Sequence, residues 1–153
     1  IGPLGGRANR FRSFSLLADS SGDNGGSVNS GCDGLPDTTR SFANLNMRPE
    51  LLQAVKKLGY KSMTDIQERA LPLALAGTDL VGKAKTGSGK TAIFGLALLQ
   101  KLDLALDHRG GRPQALVLSP TRELATQLVG SIRGLASSLS GVRVVAVTGG
   151  MPS

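Results

Sequence analysis

Tryptophan is absent from this 153-residue chain, which holds one tyrosine, one histidine and one cysteine. The lone thiol, Cys32, excludes an internal disulfide, and with His108 as the one imidazole it excludes a Cys/His zinc site. A disulfide-stapled secreted scaffold is thereby ruled out, and no disulfide partner is expected. No apolar run reaches the roughly 18 residues of a helical membrane span, so no membrane partner is expected either. One Tyr and four Phe are too few for a platform that stacks bases. Acidic residues are scarce as well, 11 against 18 Lys plus Arg, for a net charge of +7. What is present, 40% hydrophobic residues over this length, suits one α/β domain or a piece of a larger one.

The charge is unevenly placed. Residues 1–40 carry Arg7, Arg10, Arg12 and Arg40 against Asp19, Asp23, Asp33 and Asp37, which cancel. The whole surplus therefore belongs to residues 41–153, and a basic folded domain fits a polyanionic partner because neutralised phosphates release counterions. Many basic domains bind no nucleic acid, so charge alone favours that class only slightly. Residues 1–40 also hold 8 of the 21 glycines, mixed with Ser, Asn and Asp and without helical or strand period. They read as a disordered tail that buries too little apolar surface to offset chain entropy. Residues 1–18 are free of acid and carry three arginines, the composition of an organelle transit peptide. A plain flexible tail is the favoured expectation, with a cytoplasmic location, and a mitochondrial or plastid one if 1–18 is a transit peptide.

From Phe42 onward the pattern becomes periodic. RPELLQAVKKLG predicts a helix opened by Pro49, with Leu51, Leu52, Val55 and Leu58 on one face and Gly59 as its stop. A second helix is expected from Thr64 towards Ala76, kinked or broken at Pro72 and ended by Gly77. DLVGKA (79–84) reads as a short buried strand, followed by a glycine-rich turn and the helix AIFGLALLQKL. After a loop with Gly110, Gly111 and Pro113, ALVLS (115–119) predicts a second strand. PTRELATQLVGSIRGLASSL then predicts a helix, and VRVVAVT (142–148) a third strand. Strands alternating with helices imply right-handed crossovers and a parallel sheet, hence an α/β fold with ligands at the carboxyl ends of the strands.

Ala84-Lys85-Thr86-Gly87-Ser88-Gly89-Lys90-Thr91 sits between an expected strand and an expected helix. Phosphates need several converging backbone N–H donors with no side chain in the way, and Gly87 and Gly89 permit that curvature at a helix N-terminus. Lys90 reaches β- and γ-phosphates in such a loop, and the Thr91 hydroxyl holds Mg²⁺. Ala84 stands where the usual pattern begins with glycine, so the match is to the relaxed form. The same residues fit G-x-G-x-x-A of dinucleotide-binding folds, with Asp107 twenty residues beyond Gly87. In that fold the acid follows the next strand. Here it precedes the strand expected at Ala115, which sets the dinucleotide reading aside.

LGYKSMTDIQ, AKTGSGKT and PTRELA, in this order, make residues 42–153 resemble the first RecA-like domain of DEAD-box ATP-dependent RNA helicases. Within that family the run AKTGSGKTAIFGLALLQKLD is most similar to the bacterial DbpA type, which implies structured or ribosomal RNA as partner. The resemblance implies ATP and Mg²⁺ as cofactors, with Thr86, Gly87, Ser88, Gly89, Lys90 and Thr91 around the phosphates. It maps a Q motif onto 42–67, with Phe42 as the upstream aromatic, Tyr60 stacking on adenine and the Gln67 amide reading the adenine edge. Thr64-x-x-Gln67 is equally a capping box, so Gln67 has a purely structural alternative. Met63 and Asp65 depart from the family, where prolines are common, and Ser62 stands where a basic residue often adds to the base contact. Pro120, Thr121 and Arg122 match motif Ia, a backbone clamp on single-stranded RNA, and Gly149 and Gly150 match the GG element. Each again has a plain counterpart: Thr121 as a helix cap, the two glycines as an ordinary turn.

The chain contains neither an Asp-Glu-Ala-Asp tetrad nor a Ser-Ala-Thr motif. Two readings follow: the N-terminal, truncated part of an RNA helicase, or a nucleotide- or RNA-binding P-loop module without catalysis. Under the first, the 153 residues by themselves are expected to be inactive. The acid that anchors the metal is missing, and Arg109, Arg112 and Arg122 share a domain with the loop, so none resembles the arginine finger brought across a cleft. Loss of such a finger alone costs about 10³–10⁵ in rate. Phosphate release by the purified chain should stay at background with or without RNA; turnover abolished by Lys90→Ala would contradict this.

Overall fold

The computed structural model describes residues 14–19, 40–105 and 113–150, the first of these as backbone alone. Its elements are β1 (Phe14–Asp19), α1 (Pro49–Lys57), α2 (Asp65–Ala76), β2 (Leu80–Lys85), α3 (Lys90–Lys101) and α4 (Arg122–Leu135), with a 3-10 turn at Phe42–Asn44. The expected tail at 1–13 and 20–39, with Cys32, lies outside the described residues. So do Asp107, His108, Arg109, Gly110, Gly111 and Arg112 of the loop before Pro113.

Each helix begins and ends for a local reason. Pro49 opens α1 at the position where its missing N–H is harmless, and Gly59, at φ +79°, turns the chain away after Leu58. Leu51, Ala54 and Val55 are buried, while Leu58 is left exposed. α2 starts at a complete capping box and closes at Gly77 (φ 89°), whose N–H donates to the Ala74 carbonyl while Thr78 N–H donates to that of Leu73. This is a Schellman closure. Pro72 does not break α2 as expected. It lies on the exposed face, where its ring meets no core packing, while Gln67, Leu71 and Ala74 hold the other face in the core.

The core is helical. Leu51, Leu71, Ile93, Leu96, Leu99 and Leu135 are buried, four of them with no exposure. Burial of such a side chain contributes about 1.5–3 kcal/mol. α3 lies in the middle, packed on α2 and on α4, and is apolar nearly all round: Ala92 through Ala97 and Leu99 are buried. Gly95 permits the α3–α4 approach, because a Cβ there would lie 2.8 Å from Leu135 Cδ1. Arg48 ties α1 to the end of α3, its N–H donating to Gln100 Oε1 (2.8 Å) and its guanidinium to the Leu102 carbonyl (2.7 Å).

The sheet departs from expectation in three ways. β2 forms where the strand 79–84 is expected, one residue later, but it is covered on one face only, with Val81 73% exposed. Its hydrogen-bonded neighbour is β1, parallel and in register from Phe14↔Leu80 to Asp19↔Lys85, inside the segment read as disordered. FSLLAD is the most apolar stretch of that tail, so it can supply a strand where Gly- and Asn-rich neighbours cannot. Third, 115–119 and 142–148 join no ladder among the described residues. Both are strand-like in pattern: Leu116, Leu118, Val145 and Val147 are exposed, while Val142 and Val144 pack against the core. A parallel strand needs a neighbour about 4.8 Å away to use its polar groups, and among the described residues neither segment is paired with one. Arg133 nonetheless holds 142–148 to α4, its Nη2 and Nε donating to the Val144 carbonyl at 2.8 and 3.2 Å.

Leu135→Ala should destabilise the protein by about 2–5 kcal/mol. Adding Gly95→Ala to it should recover part of that loss, because the new methyl enters space that Leu135 occupied. Urea unfolding midpoints of the single and double variants measure the coupling.

Candidate functional site: a phosphate loop and a clamp at a helix start

The phosphate loop runs from β2 into α3. Gly87 and Gly89 adopt φ +81° and +84°, a left-handed backbone that other residues resist. Gly89 is the N-cap of α3 and supplies no side-chain acceptor, so the first N–H groups of α3 point out of an open helix end. Lys90 folds back over the loop, its ammonium donating to the carbonyls of Ala84 and, at 2.6 Å, Lys85. The Ser88 hydroxyl is buried and meets no hydrogen-bond partner. An orphaned donor, open amides and a lysine at one place match an anion with several oxygens, which is what a nucleotide's phosphates present. Thr86 is exposed and Thr91 half-buried, one on each side of the turn.

Thr64 and Gln67 reach this loop from the start of α2. Gln67 Oε1 accepts from Thr64 N–H (2.9 Å), and Thr64 Oγ1 accepts from Gln67 N–H (3.4 Å), completing the capping box. The same side chains go further. Gln67 Nε2 donates to the Gly89 carbonyl (3.1 Å), and the Thr64 hydroxyl to that of Ser88 (2.9 Å). Gln67 is 1% exposed, so the amide is a buried bolt between α2 and the loop. The capping role is thus present in full, and the bond to the loop is one that spacing alone did not reveal. One N–H and one lone pair of the amide remain beyond these bonds.

Tyr60 lies between α1 and α2 and shares a cavity with the start of α3. It is 38% exposed and meets buried Phe42 edge to face, with centroids 6.0 Å apart. A cavity of about 190 Å³ opens beside it, lined also by Thr91 and Ala92 of α3 and by Gly130, Ser131 and Gly134 of α4. Gln67 is not part of that lining. Two of the three departures from the family pattern, Met63 and Asp65, have local explanations. Met63 is buried in the core, and Asp65 pairs with Arg40 at 2.6 Å, which also meets Glu68 at 3.2 Å. Arg40 further accepts Met63 N–H at its carbonyl (2.8 Å), so the residue placed at the end of the tail belongs structurally to α2.

At the other end of the chain, Thr121 caps α4 by accepting from Leu124 N–H (3.2 Å). Exposed Pro120 precedes it and Arg122 opens the helix. Gly149 and Gly150 lie against the Arg122 side chain, so motif residues nearly thirty positions apart meet. Among the described residues no group of three His, Cys, Asp or Glu is placed to hold a metal, and no helix is long and apolar enough to cross a membrane.

The DEAD/DEAH box helicase family model matches residues 64–153, from the α2 cap through the glycine pair. The chain belongs to that family. It is 49% identical over 113 residues to the ATP-dependent RNA helicase DbpA of Escherichia coli (strain K12), covering 73% of this chain and 24% of that protein. The ATP-dependent rRNA helicase RRP3 of Candida glabrata is 49% identical over 115 residues, covering 74% and 22%. Among solved structures, the RNA helicase Prp28 from Chaetomium thermophilum bound to ADP superposes with a TM-score of 0.59 at 42% identity, over 69% of this chain and 26% of that one. Dbp5 of S. cerevisiae bound to RNA and ADP BeF3 gives 0.58 at 34% identity, over 65% and 25%. The chain therefore spans about a quarter of the length of these relatives. The fold is accordingly the α/β RecA-like one, with the phosphate loop at the carboxyl end of its strand.

Gly87→Ala and Gly89→Ala separate two constraints in this DEAD-box loop. Both strain a left-handed backbone, but a Cβ at 87 meets nothing within 4 Å, whereas one at 89 falls 2.3 Å from Gln67 Nε2. Nucleotide titrations should show the larger loss of affinity for Gly89→Ala, together with a lowered melting temperature that Gly87→Ala shows less.

Proposed function

We propose that the protein carrying this chain is an ATP-dependent RNA helicase, coupling ATP binding and hydrolysis to RNA duplex unwinding or remodelling. The observation that carries this reading is the junction of two motifs: Thr64 and Gln67 bond the carbonyls of Ser88 and Gly89, so that base-proximal and phosphate-proximal parts form one unit. In this reading Thr86, Gly87, Ser88 and Gly89 present backbone and hydroxyl donors to the phosphates. Lys90 exchanges its two loop carbonyls for β- and γ-oxygens, and Thr91 is the protein ligand of Mg²⁺, which supplies charge neutralisation when bound. Tyr60 offers its exposed ring face to adenine, and Gln67 its remaining N–H and lone pair to the adenine edge. Lys90 and Thr91 are the residues of this chain that act directly on the reacting phosphates.

For RNA, Thr121, Arg122, the first-turn N–H groups that the Thr121 cap leaves unused and the Gly149–Gly150 backbone offer donors to phosphate oxygens, without side chains suited to reading bases. Structured or ribosomal RNA is the proposed substrate, in keeping with the rRNA helicase named among the relatives. A cytoplasmic location is proposed, or a mitochondrial or plastid one if residues 1–18 direct import.

Adenine should be preferred over guanine. Guanine places O6 where adenine places its amino group, which leaves a polar edge unpaired at a cost of about 1–3 kcal/mol if buried. Competition binding in the full-length protein should show ATP ahead of GTP by roughly 5- to 150-fold, and Gln67→Ala should shrink the ratio. An unchanged ratio would confine Gln67 to its capping and loop-bolting bonds.

A further inference from the structure

We propose that Gly149 and Gly150 form a seat for the Arg122 guanidinium, which makes Gly149 a positioning residue for RNA-backbone binding. The inference rests on the clamp reading of Arg122 and goes beyond it: the glycine pair acts through the arginine, in addition to any contact of its own with RNA. The geometry is specific. A Cβ built on Gly149 would lie 3.3 Å from Arg122 Nη2, and one on Gly150 would lie 3.6 Å from both Nη1 and Nη2 and 3.9 Å from Cζ. The planar cation therefore lies across both glycines.

Among the described residues nothing else holds it. No carboxylate or carbonyl of the described residues pairs with the Arg122 guanidinium; the side-chain bond at this residue runs from the Thr126 hydroxyl to the Arg122 main-chain carbonyl (3.0 Å). Its five donors stay free for an anion, while shape rather than pairing limits where it goes. An unseated arginine loses much rotamer freedom on binding. A seat that leaves the donors open lowers that loss without competing for them.

The distance between arginine and seat is set by a second arginine on the same helix. Arg133 holds the Val144 carbonyl through two nitrogens, pinning 142–148 along α4. From Arg133 back to Arg122 the helix rises about 16 Å at 1.5 Å per residue. From Val144 forward to Gly149 the extended chain spans about 17 Å. The two lengths agree, so the extended segment returns the glycine pair to the helix start. The left-handed turn at Gly150, φ +84°, follows at that point.

Gly149 is the better site for a test, because its φ is not among the positive ones and a side chain there adds bulk without backbone strain. The experiment measures affinity of the full-length protein for a single-stranded oligouridylate across a salt series, with a non-hydrolysable ATP analogue present. Arg122→Ala should lower the slope of log affinity against log salt by about 0.7, the value of one phosphate contact on single strands. Gly149→Val should lower it by a similar amount, and Gly149→Ala by less, since the guanidinium tip can move a few tenths of an ångström. In the Arg122→Ala background Gly149→Val should add nothing. Melting temperature and ATP affinity identify a variant that fails to fold, in which case Gly149→Ala carries the comparison. A wild-type slope in both Gly149 variants, or losses that add in the double variant, overturns the seat while leaving the clamp standing. A wild-type slope in Arg122→Ala overturns the clamp, and the seat with it.

Discussion

One buried amide holds the nucleotide end of this protein together. Gln67 is 1% exposed, with its oxygen on the Thr64 N–H and its nitrogen on the Gly89 carbonyl. A buried amide left unpaired costs about 1–3 kcal/mol, so α2 and the phosphate loop are held in one relative position by the need to satisfy it. Gly89 is constrained twice over by this arrangement. It must take a left-handed φ to turn the strand into α3, and it must lack a Cβ where Gln67 Nε2 sits. The Thr64–Ser88 bond lies alongside as a second tie to the same loop.

The clamp end is organised differently. Its parts are held by shape and by a helix used as a ruler, with Thr121 closing the α4 cap and Arg133 fixing the returning chain. Strong pairing at Arg122 would satisfy the cation internally and withdraw it from phosphate. The loop end is held by a buried, hydrogen-bonded amide, and the α4 end by an arginine lying against two glycines.

Between these ends the scaffold is chiefly three helices, α1, α2 and α4, around α3. The sheet is represented by β2, its parallel neighbour β1 and two extended segments outside any ladder. Val81, Leu116, Leu118, Val145 and Val147 are exposed because the faces and edges of a parallel sheet are covered only by further elements. The family departures at Met63 and Asp65 belong to the same economy of packing. Met63 fills the core near Phe42, and Asp65 anchors Arg40, so the chain before α1 is fastened without the prolines common elsewhere in the family.

Much of this was legible in the residues themselves, wherever the governing physics is local. Pro49 and Gly59 bound α1, Thr64 and Gly77 bound α2, and Gly87, Gly89 and Lys90 mark the phosphate loop, because caps, left-handed turns and converging amides are written in a few neighbouring positions. The α/β class and family membership followed from such signals in order. Pairing was not legible. Which segment lies beside β2, and whether 115–119 or 142–148 finds a partner, depends on neighbours distant in sequence, since a strand's own alternation says nothing of who completes its hydrogen bonds. The meeting of Gln67 with Gly89, Arg40 with Asp65, and Arg122 with Gly149 and Gly150 likewise came only from tertiary structure. Side-chain reach is a few ångströms, and only the packing of α2, α3 and α4 brings those positions within it.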